Sequence, residues 1–255
     1  MPDGLDIHVN ELLGFVKEVI VLAEKVESSI PKHNLCADAD EFFCYTFLHR
    51  NVDYGKSLVA LIEGQFTHSA VLVARNVFEG YGYFAAYRKL DQSLAKTWCL
   101  YTIYEDYRKE LERHGEAAAN RLLISYEQKF GAAVVAEAKQ EFVFDNRKEK
   151  WYKKVGLISN IFEKLSTVGD PNLIALEQAK KYLYDPFSKV THWTPDGVKG
   201  AKDFKQAAIS LTFECLQWMS KEISREYGRE FCDALDDALR RFNDYSGLAL
   251  TQLSI

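Results

Sequence analysis

The sequence predicts an all-α protein, a single elaborate bundle of about eight to ten helices without a sheet. Apolar residues recur at three- and four-residue intervals along most of the 255-residue chain, which is the spacing of amphipathic helices. No stretch alternates apolar and polar residues as a strand does. With 14 Gly, 5 Pro and 47% hydrophobic residues, the composition is that of a compact helical protein. We therefore expect one domain over residues 1–255.

The first two helices are predicted from apolar spacing and from residues that begin and end helices. The segment from Leu5 to Ile30 has helical spacing, and a proline closes it. Asp38 or Asp40 can cap a second helix that Gly64 ends. The centre of this second helix, HRNVDYG, is polar enough to predict a kink or a break.

The third predicted helix, over about residues 67–90, carries an arginine and a glutamate on one edge. Arg75 and Glu79 lie four residues apart, on a face shared with His68 and Leu72. One interpretation is an exposed ion pair worth about 0.3 kcal/mol. In the other, the surrounding apolar and aromatic residues bury the pair, which then forms part of a site because a buried arginine must be paired.

The later helices are predicted between aspartate, proline and glycine signals. Ser93 can cap the fourth helix, and Gly131 is expected to break the fifth. An Asp-Pro pair at residues 170–171 predicts the start of a helix that leads to Tyr184. The bounds expected for the other helices are 93–114, 116–141, 157–168, 203–227 and 229–245.

The segment AKKYLYDPFSKVTHWTPDG, residues 179–197, is the most suggestive of chemistry. Tyr184, Ser188 and His192 recur in it at four-residue steps. A second Asp-Pro pair predicts a short helix from about residue 186, with Ser188 and His192 on one face and Tyr184 just outside. The C-terminal end of this helix favours a protonated imidazole. One interpretation is a histidine that caps the last carbonyls, with Tyr184 and Ser188 bonded to backbone, and the other is a functional site.

The region around this segment is the basic part of an acidic protein. The formal net charge is −5, yet residues 146–205 hold 12 Lys and Arg against 7 Asp and Glu. Near its start, cations alternate with aromatic residues, as on a surface that contacts phosphates or stacks on bases. The residues predicted to bind nucleic acid or another anion are Arg147, Lys148, Lys150, Trp151, Lys153 and Lys154. The alternative is a solvated helix face.

Several classes of function lack their sequence signatures. The chain has no glycine-rich phosphate loop, no nucleophile elbow and no H-E-x-x-H, and its six histidines never lie four residues apart. Five cysteines without a C-x-x-C pair favour neither a disulfide framework nor a zinc site. We therefore expect no metal and no cofactor. The lack of a membrane-length apolar run and of a basic leader segment predicts a cytoplasmic protein that does not bind membranes.

Chemistry that needs only side chains fits the remaining pattern. A histidine that moves a proton and an arginine that stabilises charge on phosphate can cleave RNA without a metal ion. We predict a pocket in which His192 is the acid/base, Arg75 binds phosphate and Glu79 orients Arg75. Ser188 and Tyr184 would support them by hydrogen bonding, and the ligand would be RNA or another phosphate-bearing molecule. The alternative is a non-enzymatic interaction or sensing module, in which these residues form a structural polar network.

Three motifs occur in a fixed order: GQFTHSAVLVARNVFEGYGYFAAY with its R-x-x-x-E, then KEKW, then Y-x-x-x-S-x-x-x-H. In this order they resemble a bacterial family of unknown function, number 5677, over about residues 50–200. The resemblance implies an all-helical fold in which the first and last motifs face each other. The chain also distantly resembles the HEPN group of helical ribonucleases and toxins, which implies a defence role and a homodimer with arginine and histidine at its interface. It lacks the R-x(4–6)-H motif of that group, so ribonuclease activity is an analogy.

Overall fold

The computed structural model describes residues 4–31, 38–144, 150–154, 156, 158–170, 173–174, 177, 180 and 204–252. Within these residues the chain forms nine α-helices and two short 3-10 helices, and it contains no strand. The predicted all-α fold class is therefore confirmed. None of the helices in these ranges combines the length and the apolar character that crossing a bilayer requires.

The helices occur in the predicted order. Their bounds are α1 Gly4–Ser29, α2 Ala39–Glu63, α3 Thr67–Lys89, α4 Ser93–His114, α5 Glu116–Phe130, α6 Ala132–Glu141, α7 Ile158–Ser166, α8 Lys205–Tyr227 and α9 Cys232–Gln252. The two 3-10 helices span Trp151–Lys154 and Arg229–Phe231. Gly115 and Gly131 end α4 and α5 with φ of 80° and 93°, which glycine adopts without strain. The predicted break at Gly131 is confirmed.

The predicted break in the second helix is wrong, because α2 is continuous through HRNVDYG. The polar side chain at its centre, Asn51, is buried and donates from Nδ2 to the carbonyl of Phe47 at 2.7 Å. A Cβ on Gly80 of α3 would lie only 2.7 Å from that Nδ2. Gly80 therefore leaves room for the buried amide of Asn51 where α2 and α3 cross. The polar segment is accommodated there, and α2 stays continuous.

Two aspartates accept backbone N–H groups at the starts of α2 and α4. Asp38 is the N-cap of α2, and its carboxylate accepts the N–H groups of Asp40 and Glu41 at 3.0 Å. Ser93 is the first residue of α4 and not its cap, because its own N–H donates to Asp91 Oδ1 at 2.9 Å. An aspartate two residues earlier thus does what was predicted for the serine.

The main hydrophobic core lies between α1, α2, α3 and α8. Ion pairs from Lys17 to Glu63 and from Lys56 to Glu24 show that α1 and α2 are antiparallel. The α8 helix lies parallel to α3, with the Tyr81 and Trp218 ring centroids 5.8 Å apart and Arg88 bonded to Glu226. The α9 helix covers α1 and α8, where Phe242 stacks on Phe213 at 4.1 Å. The α3 helix, with the predicted arginine and glutamate, is thus packed against both α2 and α8.

The helices α4, α5 and α6 form a second layer with a smaller core of its own. In it Tyr104 stacks on Phe142 at 5.4 Å, beside buried Leu123 and Val135. An aromatic cluster, contributed by α2, α3, α4 and the first 3-10 helix, connects this layer to the main core. Its members are Phe42, Phe43, Phe47, Tyr83, Tyr87, Trp98, Trp151 and Tyr152.

The side chain of Arg88 joins three helices of the main core. Its Nη1 and Nη2 donate to the two carboxylate oxygens of Glu226 at 2.7 and 3.0 Å, which ties α3 to α8. Nη2 also lies 3.5 Å from Cys44 Sγ on α2. The side chain is only 12% exposed and lies over the rings of Phe84 and Tyr87. Burial raises the pKa of the Cys44 thiol to about 12, so Arg88 faces a neutral thiol and pairs with Glu226.

Replacing Arg88 by alanine is expected to lower the free energy of unfolding by about 2 kcal/mol. The loss stays below that of a fully buried pair because water can hydrate the half-exposed Glu226 carboxylate that remains. Urea denaturation at pH 7 measures the change. The matched control is Arg240→Ala, which removes an exposed ion pair with Asp237 and should cost less than about 0.5 kcal/mol. Equal losses in the two variants would contradict the role given to Arg88.

Candidate functional site

The first predicted site element, Arg75 and Glu79, occupies one turn of α3. Arg75 Nε donates to Glu79 Oε1 at 3.0 Å, and the two side chains are 21% and 29% exposed. The pair is therefore half-buried. Its exposure is intermediate between those of the exposed ion pair and the buried pair that the sequence allowed. Glu79 orients the guanidinium through this charge-assisted hydrogen bond to Nε.

This turn of α3 is held by packing on both sides of the pair. Phe78, which precedes Glu79, is fully buried and stacks on Phe162 of α7 with centroids 4.4 Å apart. Gly80, which follows Glu79, lies against Asn51 of α2. His68 and Leu72, predicted on the same face, are both partly exposed. The backbone that carries the pair is thus fixed between α2 and α7.

The second predicted site element, Tyr184, Ser188 and His192, lies outside the described residues. That this segment faces Arg75 and Glu79 remains a prediction. The helix predicted to lead to it begins as expected, because the N–H groups of Leu173 and Ile174 donate to the carbonyl of Asp170 at 3.0 Å.

The basic segment is described in part. Arg147 and Lys148 lie outside the described residues, and the backbone of Lys153 and Lys154 belongs to the first 3-10 helix. Lys150 is exposed.

The indole of Trp151 lies within the aromatic cluster. Its ring centroid is 4.8 Å from that of Tyr83, 6.2 Å from that of Phe47 and 6.4 Å from that of Phe43. The half-buried indole therefore anchors the first 3-10 helix on α2 and α3. Contact of this segment with nucleic acid remains a prediction.

In the part of the chain that the structure describes, no three His, Cys, Asp or Glu side chains are grouped in a way that could hold a metal ion. The cysteines within it, Cys44, Cys99, Cys215 and Cys232, form no disulfide with one another, and the first three are buried.

Glu214 on α8 is a residue that the sequence analysis missed. It is half-buried between the buried residues Phe213 and Cys215, and burial raises the pKa of its carboxyl from 4.5 to about 7. No ion pair or hydrogen bond with another described residue opposes that shift. The signal in the sequence was a single glutamate inside the apolar run LTFECLQW.

The stability of the protein is expected to fall as the pH rises from about 4.5 to about 7 because of Glu214. The folded state holds the Glu214 proton more tightly than the unfolded state, so ionisation in this window costs about 2 to 3 kcal/mol of folding free energy. Glu214→Gln should remove this part of the pH dependence, as measured by urea denaturation at pH 4.5 and 7.5. An unchanged difference between the two pH values in the variant would contradict the assignment.

The described residues form an all-helical protein that carries an ion-paired R-x-x-x-E turn on α3. The chain belongs to DUF5677, a family of unknown function, whose model matches residues 41–204. The match confirms the resemblance to that family and includes both predicted site elements. Comparisons with curated proteins and with solved structures found no match. The resemblance to the HEPN group is not shown by these comparisons.

Proposed function

We propose that the protein cleaves RNA or a related phosphodiester without a metal ion, with Arg75 binding phosphate and His192 acting as acid/base. The observation that carries the proposal is the half-buried Arg75–Glu79 pair, joined at 3.0 Å on a turn that α2 and α7 fix. A guanidinium can bind two phosphate oxygens and stabilise the charge that develops on them. Ser188 and Tyr184 act as hydrogen-bonding support.

The proposed reaction uses a nucleophile that RNA itself supplies. His192 removes the proton of the 2′-hydroxyl, and the 2′-oxygen attacks the adjacent phosphorus. The bond from phosphorus to the 5′-oxygen breaks, and that oxygen takes a proton from the imidazolium or from solvent. The products are a 2′,3′-cyclic phosphate and a 5′-hydroxyl. An attacking group already positioned in the substrate makes a metal-bound water unnecessary.

The charge distribution supports a polyanionic substrate. The basic region, residues 146–205, surrounds the second site element in an otherwise acidic chain and would attract RNA at low salt. The residues that would contact the RNA are Arg147, Lys148, Lys150, Trp151, Lys153 and Lys154. The proposed setting is the cytoplasm, in a toxin or defence role.

The test is a cleavage assay with a labelled RNA oligonucleotide in EDTA, beside the same sequence in DNA. We expect cleavage of RNA and not of DNA, with a 2′,3′-cyclic phosphate end. Arg75→Gln should lower kcat/KM by about 10²-fold, as expected for loss of one charge-stabilising group. Arg240→Gln on α9 is the control and should leave kcat/KM unchanged. Failure of the unaltered protein to cut RNA would overturn the proposal.

A second candidate is a non-enzymatic interaction or sensing module. The spacing of Arg75 and Glu79 favours this candidate, because an ion pair between residues four apart on one helix also stabilises that helix. For this candidate, Arg75→Gln lowers the melting temperature and the unaltered protein has no RNA-cleaving activity.

A further inference from the structure

A cavity opens at one side of the second layer, and we call it the α4–α6 cavity. Side chains of α4 and α6 line it, together with Ala39, the first residue of α2. Its volume is about 200 Å³, and neither Arg75 nor Glu79 lines it. An apolar protein cavity of about 150 Å³ holds one molecule of the size of benzene. The α4–α6 cavity therefore has room for one small organic molecule.

The floor of this cavity is apolar. Leu100 and Ile103 of α4 are 5% and 1% exposed, and the buried side chain of Cys99 lies beside them. A buried cysteine packs as a small apolar side chain. Together with Lys96, these residues have the i, i+3, i+4, i+7 spacing of a single face of α4. Val134 of α6 forms the facing wall.

Water has few partners on this floor. A buried water molecule needs two to four polar groups to bond with, and an apolar cavity of this size stays dry. Among the described residues of the lining, no buried side-chain nitrogen or oxygen lacks a hydrogen-bond partner. The floor residues lie inside α4, where the helix itself uses their backbone groups. An apolar ligand would therefore cover this surface without breaking hydrogen bonds.

The rim of the cavity carries one ion pair. Lys96 Nζ of α4 lies 2.5 Å from Glu137 Oε1 of α6, and the side chains are 59% and 42% exposed. The two charges neutralise each other, so the rim attracts neither an anion nor a cation. A charged ligand would also have to leave water for an apolar floor, which is costly. The charge of the lining thus favours an uncharged ligand.

We infer that the α4–α6 cavity binds one small, uncharged, apolar molecule of the size of a single aromatic ring. The ligand would lie on Leu100 and Ile103 and contact Val134, as expected for a mainly apolar site. It would also contact Ala39, whose helix belongs to the main core, so the ligand would join the two layers of the protein. Neither of the proposed functions requires this site.

The probe is toluene, titrated into the full chain by isothermal calorimetry. Benzoate and benzylammonium, which keep the ring and carry opposite charges, are titrated in parallel. We expect saturable binding of toluene and at least about tenfold weaker binding of both charged probes. Toluene should also raise the melting temperature, because it binds the folded state. No saturable binding of toluene would overturn the inference, and equal binding of a charged probe would overturn the choice of an uncharged ligand.

Val134→Phe should weaken toluene binding at least about tenfold, because the added ring would fill the cavity from the side of α6. The matched control is Val143→Phe, the same change at a valine that is 59% exposed and does not line the cavity. This control should bind toluene like the unaltered protein. Ala39→Leu, which fills the cavity from α2, should also weaken binding and decides the test if Val134→Phe does not fold. Unchanged binding in both cavity variants would overturn the inference.

A side chain from a second copy of this chain is another occupant of suitable size. The paired charges of Lys96 and Glu137 leave the rim without an unmatched charge for a protein partner, which favours the small molecule. We expect sedimentation velocity to be the same for the unaltered protein and Val134→Phe, with and without toluene. A dimer that Val134→Phe dissociates would assign the cavity to a second copy and overturn the inference. The cavity shares no residue with the proposed nuclease site, so the two proposals can fail separately.

Discussion

Replacing His192 by alanine is expected to lower the rate constant of RNA cleavage by about 10²- to 10⁴-fold. The imidazole is the group that accepts the 2′-hydroxyl proton in the proposed reaction, and alanine cannot replace it. The rate is measured under single-turnover conditions in EDTA. The melting temperature of the variant should stay within about 2 °C of that of the unaltered protein, as for a substitution without a role in packing.

The control for this change is His114→Ala. His114 is an exposed histidine in the last turn of α4, and its loss should alter neither the rate nor the melting temperature. If His192→Ala lowers the melting temperature by several degrees and the unaltered protein cuts no RNA, the polar residues form a structural network. Retention of full cleavage activity by His192→Ala would exclude His192 as the acid/base.

Replacing Phe43 by alanine is expected to lower the free energy of unfolding by about 3 to 5 kcal/mol. Phe43 is fully buried at the centre of the aromatic cluster, with ring centroids 4.1 Å from Phe47, 4.8 Å from Tyr87 and 5.6 Å from Trp98. These rings come from three helices, so collapse around the vacancy would require all three to move. Urea denaturation followed by far-UV circular dichroism measures the loss.

The matched control is Phe66→Ala. Phe66 is 62% exposed at the start of α3, and its loss should change the free energy of unfolding by less than about 0.5 kcal/mol. Phe43→Leu should give an intermediate loss of about 1.5 kcal/mol, because most of the volume is kept. A loss below about 1 kcal/mol for Phe43→Ala would show that the cluster does not hold the two layers together.

The fold was predictable because helix periodicity is a local property of the sequence. The spacing of apolar residues in α1, α3 and α8 is long and regular, and the glycines at the ends of α4 and α5 are needed for their backbone angles. The predicted break in α2 failed for a tertiary reason. From the sequence alone, a polar residue such as Asn51 predicts a solvent-facing break in the helix. The glycine that makes room for it, Gly80, lies on another helix and is identified only in the structure.

The candidate site was predictable only to the level of a helix face. Four-residue spacing put Arg75 and Glu79 on one edge of α3, and they are paired there. Their partial burial depends on tertiary packing, which local periodicity does not describe. The packing of the Trp151 indole in the aromatic cluster was not predictable, because the rings around it come from helices distant in the sequence. Glu214 was missed because one carboxylate in an apolar helix has no motif, and its altered acidity comes from tertiary burial.

The match to DUF5677 covers residues 41–204. Two of the four helices around the main core, α1 and α8, lie outside this range. On α2, Gly55 is so close to Leu216 of α8 and Ile20 of α1 that a methyl group there would meet both side chains. A polypeptide trimmed to residues 41–204 would expose the faces of α2 and α3 that these helices cover, and such apolar patches promote aggregation. The helices α1 and α8 therefore belong to the folded unit of this protein, although they lie outside the residues that match the family.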